Sequence, residues 1–240
     1  IVWDTASGEN LSSFVAEGGS VEALAFRQAS ASQVTLLTST QDLHLREWDL
    51  ETGEALHESA IADKLPQIAV SPDGHTALLP FSGALWLWKL DFWDTGFLRV
   101  GNERFNGIAS LAISPDGQQI LLGHQAGCLR VIGMPFGGER RRFSLEVPQY
   151  GLAVSPDGRT MITGGVTGST ATWWDLSTGA ITRQYDNLAS GVSELGFTPD
   201  GKSVLLASSD WYGGTGEIVL ALVDVTTGTE IRRFEGHHYG

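Results

Sequence analysis

Residues 155–179, SPDGRTMITGGVTGSTATWWDLSTG, decide how the rest of the chain is read. The stretch opens on a tight-turn sequence, Ser155-Pro156-Asp157-Gly158. Proline presets φ at its position, aspartate can bond nearby backbone, and glycine supplies positive φ. A short apolar run, Met161-Ile162, and a glycine-rich break follow. Then comes an aromatic and β-branched segment over 170–176, closed by a second turn, Ser177-Thr178-Gly179. The pattern is strand, turn, strand, turn.

The unit recurs along the chain. Its first turn is matched by Ser71-Pro72-Asp73-Gly74, Ser114-Pro115-Asp116-Gly117 and Thr198-Pro199-Asp200-Gly201, and the four aspartates stand 43, 41 and 43 residues apart. A fixed period of roughly 40–45 residues carrying several short strands marks a repeat array of the propeller kind. A second signature runs out of phase with the first. It reads Trp3-Asp4 to Gly8, Trp48-Asp49 to Gly53, Trp174-Asp175 to Gly179 and, with valine for tryptophan, Val223-Asp224 to Gly228. Polar and apolar residues roughly alternate over 43–48 and 192–197, as in half-buried strands. Residues 111–113 and 152–154 are instead nearly all apolar and small, which suits inner strands crowded around a channel.

These residues resemble the WD40 repeat family over the whole chain. The resemblance implies an all-β, WD40-type β-propeller of four-stranded antiparallel blades, strands a (innermost) to d. The Ser-Pro-Asp-Gly turn would join a to b, and the Trp-Asp dipeptide would end c. On that reading residues 1–17 form a half blade of strands c and d. Five complete blades follow at 18–62, 63–104, 105–146, 147–187 and 188–236. Residues 237–240 begin a further repeat, with Gly236-His237 as its opening dipeptide. The chain is thus expected to be an arc of a longer array, or a domain whose ring is completed elsewhere. The first full blade lacks the proline turn, and 27–33 is expected to be its a–b connection.

The resemblance also implies a buried hydrogen-bond chain in each well-kept blade. It runs from the tryptophan through a strand-b hydroxyl and a histidine to a b–c turn aspartate. In the first full blade Trp48, Thr38 and Asp42 take these places, but Gly18-Gly19 stands where Gly-His belongs. The matching turn positions further on are Ser82, Ala126, Gly168 and Glu217, of which only Glu217 could accept such a bond. Ile132-Gly133 replaces Trp-Asp in the third blade. The structural signature therefore comprises Trp3, Asp4, Asp42, Trp48, Asp49, Trp174, Asp175, Asp224 and His237, and most blades are expected to rely on apolar packing.

Two loops are longer than their counterparts. Residues 208–216, SSDWYGGTG, expand a b–c connection, which by family likeness lies on the face where partners dock. Asp210, Trp211 and Tyr212 are the candidate binding residues, because exposed Trp and Tyr are enriched in binding hot spots. The competing reading folds Trp211 back as local core. The c–d loop at 91–97, DFWDTGF, reads as a slipped Trp-Asp-Thr-Gly signature on the opposite face, with a structural meaning.

Composition narrows the function. Hydrophobic content of 42% with 18% charged residues fits a globular protein with a sizeable core. Fifteen Lys+Arg against 28 Asp+Glu give a net charge of −13, which opposes electrostatic binding to nucleic acid or an anionic membrane. Arg140-Arg141-Arg142 is a short basic run read as one solvated strand face. One cysteine, Cys128, rules out an internal disulfide and is read as a small core residue. No apolar run approaches the roughly 18 residues of a membrane span. There is no Gly-x-Ser-x-Gly elbow, Walker loop or His-Glu-x-x-His. The six histidines are scattered apart from His237-His238, whose side chains would point to opposite faces of a strand.

The leading expectation is a non-catalytic protein–protein interaction scaffold in the cytoplasm, part of a larger multidomain protein. It would bind a protein or peptide, or other domains of its parent, and would have no cofactor, catalytic residue or metal site. The alternative is a propeller enzyme of lactonase-like or quinone-dependent oxidoreductase type. Against the quinone reading, Arg183 and Arg232 stand where that family places tryptophan. Against the lactonase reading, the inner strands offer almost no carboxylates, Glu22 and Glu194 being the exceptions.

Overall fold

A computed structural model of the chain describes residues 2–4, 7–13, 15, 18–93, 97–100, 107–134, 138–145, 148–165, 170–185, 191–209 and 218–234. The described residues form β-strands and turns with no helix. Strands β1 (Val2–Trp3) and β2 (Asn10–Ser12) pair as a small separate sheet. Blade 1 holds β3 (Val21–Ser30), β4 (Gln33–Thr40), β5 (His44–Asp49) and β6 (Ala55–Ala60). Blade 2 holds β7 (Ala69–Val70), β8 (Thr76–Phe81), β9 (Ala84–Lys89) and β10 (Phe97–Arg99). Blade 3 holds β11 (Ile108–Ile113), β12 (Gln119–His124), β13 (Cys128–Gly133) and β14 (Glu139–Ser144). Blade 4 holds β15 (Gln149–Val154), β16 (Thr160–Gly165), β17 (Ala171–Asp175) and β18 (Ile181–Tyr185). Blade 5 holds β19 (Val192–Phe197), β20 (Ser203–Ser209), β21 (Ile218–Asp224) and β22 (Glu230–Phe234). Every blade is an antiparallel meander in chain order, and the five are arranged as a β-propeller.

Local turn chemistry sets the meander. In the four a–b turns the hydroxyls of Ser71, Ser114, Ser155 and Thr198 donate to the aspartate two residues on, at 2.5, 2.5, 2.5 and 2.7 Å. Each hydroxyl also accepts the backbone N–H five residues on, at 2.9–3.0 Å. The turn glycines Gly74, Gly117, Gly158 and Gly201 sit at φ +73°, +68°, +70° and +69°, which only glycine adopts without strain. The c–d turns repeat a second device: Asp49, Asp175 and Asp224 accept backbone N–H groups from the residues two or three places on. Blade 1 departs from the expected a–b connection at 27–33. There β3 and β4 stay paired out to Ser30 and Gln33, leaving a two-residue turn, Ala31-Ser32, in place of the proline turn.

Packing follows from the two-residue period of a strand between two neighbours. In blade 2, Ala77, Leu79 and Phe81 of β8 enter the core shared with blade 1, while Leu78 enters the core shared with blade 3. In blade 3, Ile120 and Leu122 face blade 2 and Leu121 faces blade 4. Met161 and Ile162 of blade 4 divide in the same way between blades 3 and 5. Strand b therefore reads as an apolar run because both of its faces are interior. β8 is buried at all six positions. The alternation over 43–48, read as a half-buried strand, is corrected for the same reason: Leu45, Arg46, Glu47 and Trp48 are all buried. Cys128 is a free, half-buried thiol at the start of β13.

Glycine substitutions in the a–b turns should separate backbone conformation from close approach. A Cβ at Gly117 meets open space, whereas one at Gly74 overlaps the carbonyl oxygen of Gln28 in the neighbouring blade. Gly117→Ala should cost about 1–2 kcal/mol, the price of the left-handed conformation alone. Gly74→Ala should cost clearly more. Urea melts of the two variants against the parent measure the difference.

Candidate interaction site

Several residues singled out from sequence lie outside the described residues: Asp210, Trp211, Tyr212, Glu217, His237 and Gly168. The others fall into the scaffold. Trp48 Nε1 donates to Thr38 Oγ1 at 2.7 Å, and Trp174 Nε1 donates to Thr163 Oγ1 at 2.9 Å. Elsewhere an aliphatic residue holds the hydroxyl's place. In blade 2 Leu79 stands there, two residues on from Ala77, which lies opposite Trp88, and the fully buried Trp88 Nε1 has no acceptor among the described residues. Trp3 packs against Phe234 with ring centroids 6.1 Å apart, and Asp4 accepts the Ser7 N–H.

Asp42 does not reach the tryptophan. Its carboxylate takes Arg46 Nη2 and Thr40 Oγ1, both at 2.6 Å, and its backbone N–H donates to the Gly18 carbonyl. The hydrogen bond from the Arg46 guanidinium holds the Asp42 carboxyl well below the usual range, with Thr40 adding to it. Asp175 is held down to about 2, first by the Ser177 hydroxyl and then by the Thr178 backbone N–H. These carboxylates are turn and ion-pair anchors with low proton affinity, unsuited to general acid–base work near neutral pH.

Between blades 1 and 2 lies a feature with no local sequence signal. Arg27, on β3, is 6% exposed. Its Nη1 donates to both Glu47 carboxylate oxygens at 3.0 Å, its Nη2 to Asp91 Oδ1 at 2.7 Å, and its Nε to the Gly74 carbonyl at 2.7 Å. Thr35 Oγ1 gives Glu47 a further donor at 2.5 Å, and His75 Nδ1 meets Asp91 Oδ2 at 2.6 Å. One guanidinium thus joins strands a and c of blade 1 to both the a–b turn and the c–d loop of blade 2. Arg27 and Glu47 are buried but fully partnered, as buried charges must be, while Asp91 and His75 reach solvent.

Above this network opens a cavity of about 600 Å³, lined by Arg27, His57, Glu58, Leu90, Asp91, Phe92 and Trp93. Trp93 stacks on His57 at 5.0 Å and meets Trp88 edge-on at 4.4 Å, which fixes the wall of the cavity. Phe92 is 63% exposed beside it. Of the c–d loop singled out at 91–97, Trp93 and Phe97 serve packing and Phe92 is largely exposed; residues 94–96 lie outside the described set. The cavity's two lining carboxylates are already paired, Glu58 with Arg46 at 3.0 Å and Asp91 with Arg27.

The two inner-strand carboxylates each have a neighbour of their own. Glu22 receives Lys64 Nζ at 3.2 Å, and Glu194 receives Gln67 Nε2 at 3.4 Å. The second contact runs from the segment leading into β7 to β19, from blade 2 to blade 5, so these strands converge on one axis. Glu194 is accessible to solvent in that narrow space, yet crowding by the surrounding protein pushes its carboxyl up. Among the described residues, no group of three or more His, Cys, Asp or Glu is placed to hold a metal ion.

No protein-family model matches the chain. Two curated proteins do. Protein groucho of Drosophila melanogaster is 26% identical over 136 residues, 55% of this chain and 18% of that protein. WD repeat-containing protein SL1-17 of Schistosoma mansoni is 30% identical over 102 residues, 42% of this chain and 33% of that protein. The chain is built of WD40 repeats. It spans a third or less of the length of these relatives in the matched stretches, so the WD40 assignment concerns the propeller and its blades.

Two measurements test the electrostatics of this WD40 propeller. Arg27→Ala should destabilise it by about 3–5 kcal/mol, because Glu47 is left buried without its counter-charge. The double change Arg27→Met with Glu47→Leu should recover most of that loss in the same denaturant titration. Glu194→Gln should raise the melting temperature at pH 7, where the wild-type carboxylate is ionised against its raised folded-state pKa. The gain should vanish below about pH 4, where the carboxyl is neutral in folded and unfolded chains alike.

Proposed function

We propose that this WD40 propeller is a non-catalytic scaffold, one part of a larger cytoplasmic protein, that captures a peptide segment at the cavity between blades 1 and 2. The observation that carries this reading is Phe92, a large apolar side chain held 63% exposed beside a preformed aromatic wall. A rigid cavity of this kind lets a partner's apolar side chain bury area without ordering the receptor first. The net charge of −13 favours a segment with a lysine or arginine next to its apolar anchor. The kinship with groucho and a WD repeat-containing protein supports an interaction role in general terms. The loop carrying Asp210, Trp211 and Tyr212 is proposed as a second contact region, on its composition.

Selection from a random peptide library against the whole chain tests the proposal. Bound peptides should share a bulky apolar residue beside a basic one. Phe92→Ala should weaken them about tenfold, in the range of an interface hot spot, with an unchanged melting temperature. Loss of binding only in a Trp211→Ala, Tyr212→Ala variant moves the site to the other loop. Peptides indifferent to both variants reject the reading.

A further inference from the structure

Among the polar side chains that line the cavity between blades 1 and 2, Arg27, Glu58 and Asp91 already hold partners. His57 is the exception. Its ring lies on Trp93, with centroids 5.0 Å apart and 22° between the planes, and its two nitrogens make no hydrogen bond among the described residues. A neutral imidazole offers one N–H donor and one acceptor nitrogen. His57 is therefore the polar group of this wall that is still open to a ligand.

The charges around His57 are acidic on balance. Across the β5–β6 pair it stands opposite Glu47, which is bound to Arg27. Beside it in the lining are Glu58, bound to Arg46, and Asp91, bound to Arg27. Asp42 holds Arg46 as well. Two guanidinium groups thus stand among four carboxylates, a surplus that favours a cationic group next to a neutral His57.

Two further histidines touch the same carboxylates. His75 Nδ1 meets Asp91 Oδ2 at 2.6 Å, and the His75 backbone N–H goes to Asp73, which also feels the charge of Lys89. His44 lies between Asp42 and Glu58, 3.5 Å from each. Three of the four described histidines therefore belong to this network, the fourth being His124 on β12 of blade 3. Imidazole is the side chain whose charge changes between about pH 5 and 8. With all three protonated, the two positive charges among four carboxylates become five.

We infer that His57 reads the basic residue of the captured segment and makes capture depend on pH. The inference rests on the peptide-capture reading above. Neutral His57 accepts a hydrogen bond from the segment's lysine or arginine while the apolar anchor packs beside Phe92. A proton on His57 removes that acceptor and sets a like charge against the segment's cation. Protonated His75 and His44 act in the same direction, because they offset the charge of Asp91 and Glu58. Their ion pairs with these carboxylates strengthen at the same time, so the wall stays in place as the segment leaves.

The probe is the peptide recovered most often from the random library on the whole chain at about pH 7.5. It is synthesised as selected and with its basic residue replaced by glutamine. The affinity of the selected peptide should fall about tenfold or more between about pH 7.5 and about pH 5.5, and that of the glutamine copy by less than about threefold. In His57→Gln, whose side chain takes up no proton in this range, the change for the selected peptide should shrink to less than about threefold. Equal affinity at both pH values, an equal loss for the glutamine copy, a selected peptide without a basic residue, or an undiminished pH dependence in His57→Gln overturns this inference alone. Failure to recover any peptide that Phe92→Ala weakens removes the capture reading, and the inference falls with it.

Discussion

Two-sided burial of strand b is the constraint on which the rest of this propeller depends. A sheet with one wet face would let every second residue be polar. Here β8, β12 and β16 each send alternate side chains into two different cores, one shared with each neighbouring blade. Removing one blade would expose apolar surface on two others. The cost of truncating a single interior leucine in such a setting is about 2–5 kcal/mol, several times that of a hydrogen bond. Apolar contact therefore dominates the cohesion between blades, and hydrogen bonds fix the meander within each one.

That ranking explains why the tryptophan–hydroxyl pair is dispensable. It survives in blades 1 and 4, where Thr38 and Thr163 accept from Trp48 and Trp174. In blade 3 the same places hold Ile132 and Leu122, both buried in the core with blade 2. In blade 5 they hold Val223 and Leu206, buried in the core with blade 4. A net hydrogen bond of about 1 kcal/mol is readily replaced by aliphatic contact of the same shape. Blade 2 keeps the tryptophan without the threonine, and Trp88 compensates with ring contacts to Trp93 and Phe97.

The fold was legible in the sequence because its determinants are local. Ser155 to Gly158 encode their turn within four residues, and the spacing of the copies encodes the blades. Arg27 shows where this kind of reading stops. The absence of a proline turn after it points to an a–b loop, yet β3 runs through it and its partners are Glu47, Gly74 and Asp91. Nothing near residue 27 in the sequence announces those three. The alternation of β5 misled for a related reason. Arg46 and Glu47 look solvent-facing by type, but each is buried in a charge network: Arg46 with Thr40, Asp42 and Glu58 of its own blade, and Glu47 with Arg27, which reaches on to blade 2.

The interface of blades 1 and 2 is thus the exception to the apolar rule, and the exception generates the cavity. A buried guanidinium needs acceptors for its remaining N–H groups as well as a counter-charge, and Glu47 alone leaves Nη2 and Nε unmet. Asp91 and the Gly74 carbonyl supply the remainder from blade 2. Fixing Asp91 fixes the start of the c–d loop, where the Phe92 N–H turns back to the Lys89 carbonyl and Trp93 is stacked inward on His57. Between Asp91 and Trp93, both held on their own partners, Phe92 is left 63% exposed. The exposed aromatic is therefore a consequence of satisfying a buried charge, and the same ion pair that joins two blades also holds the rim of the cavity rigid.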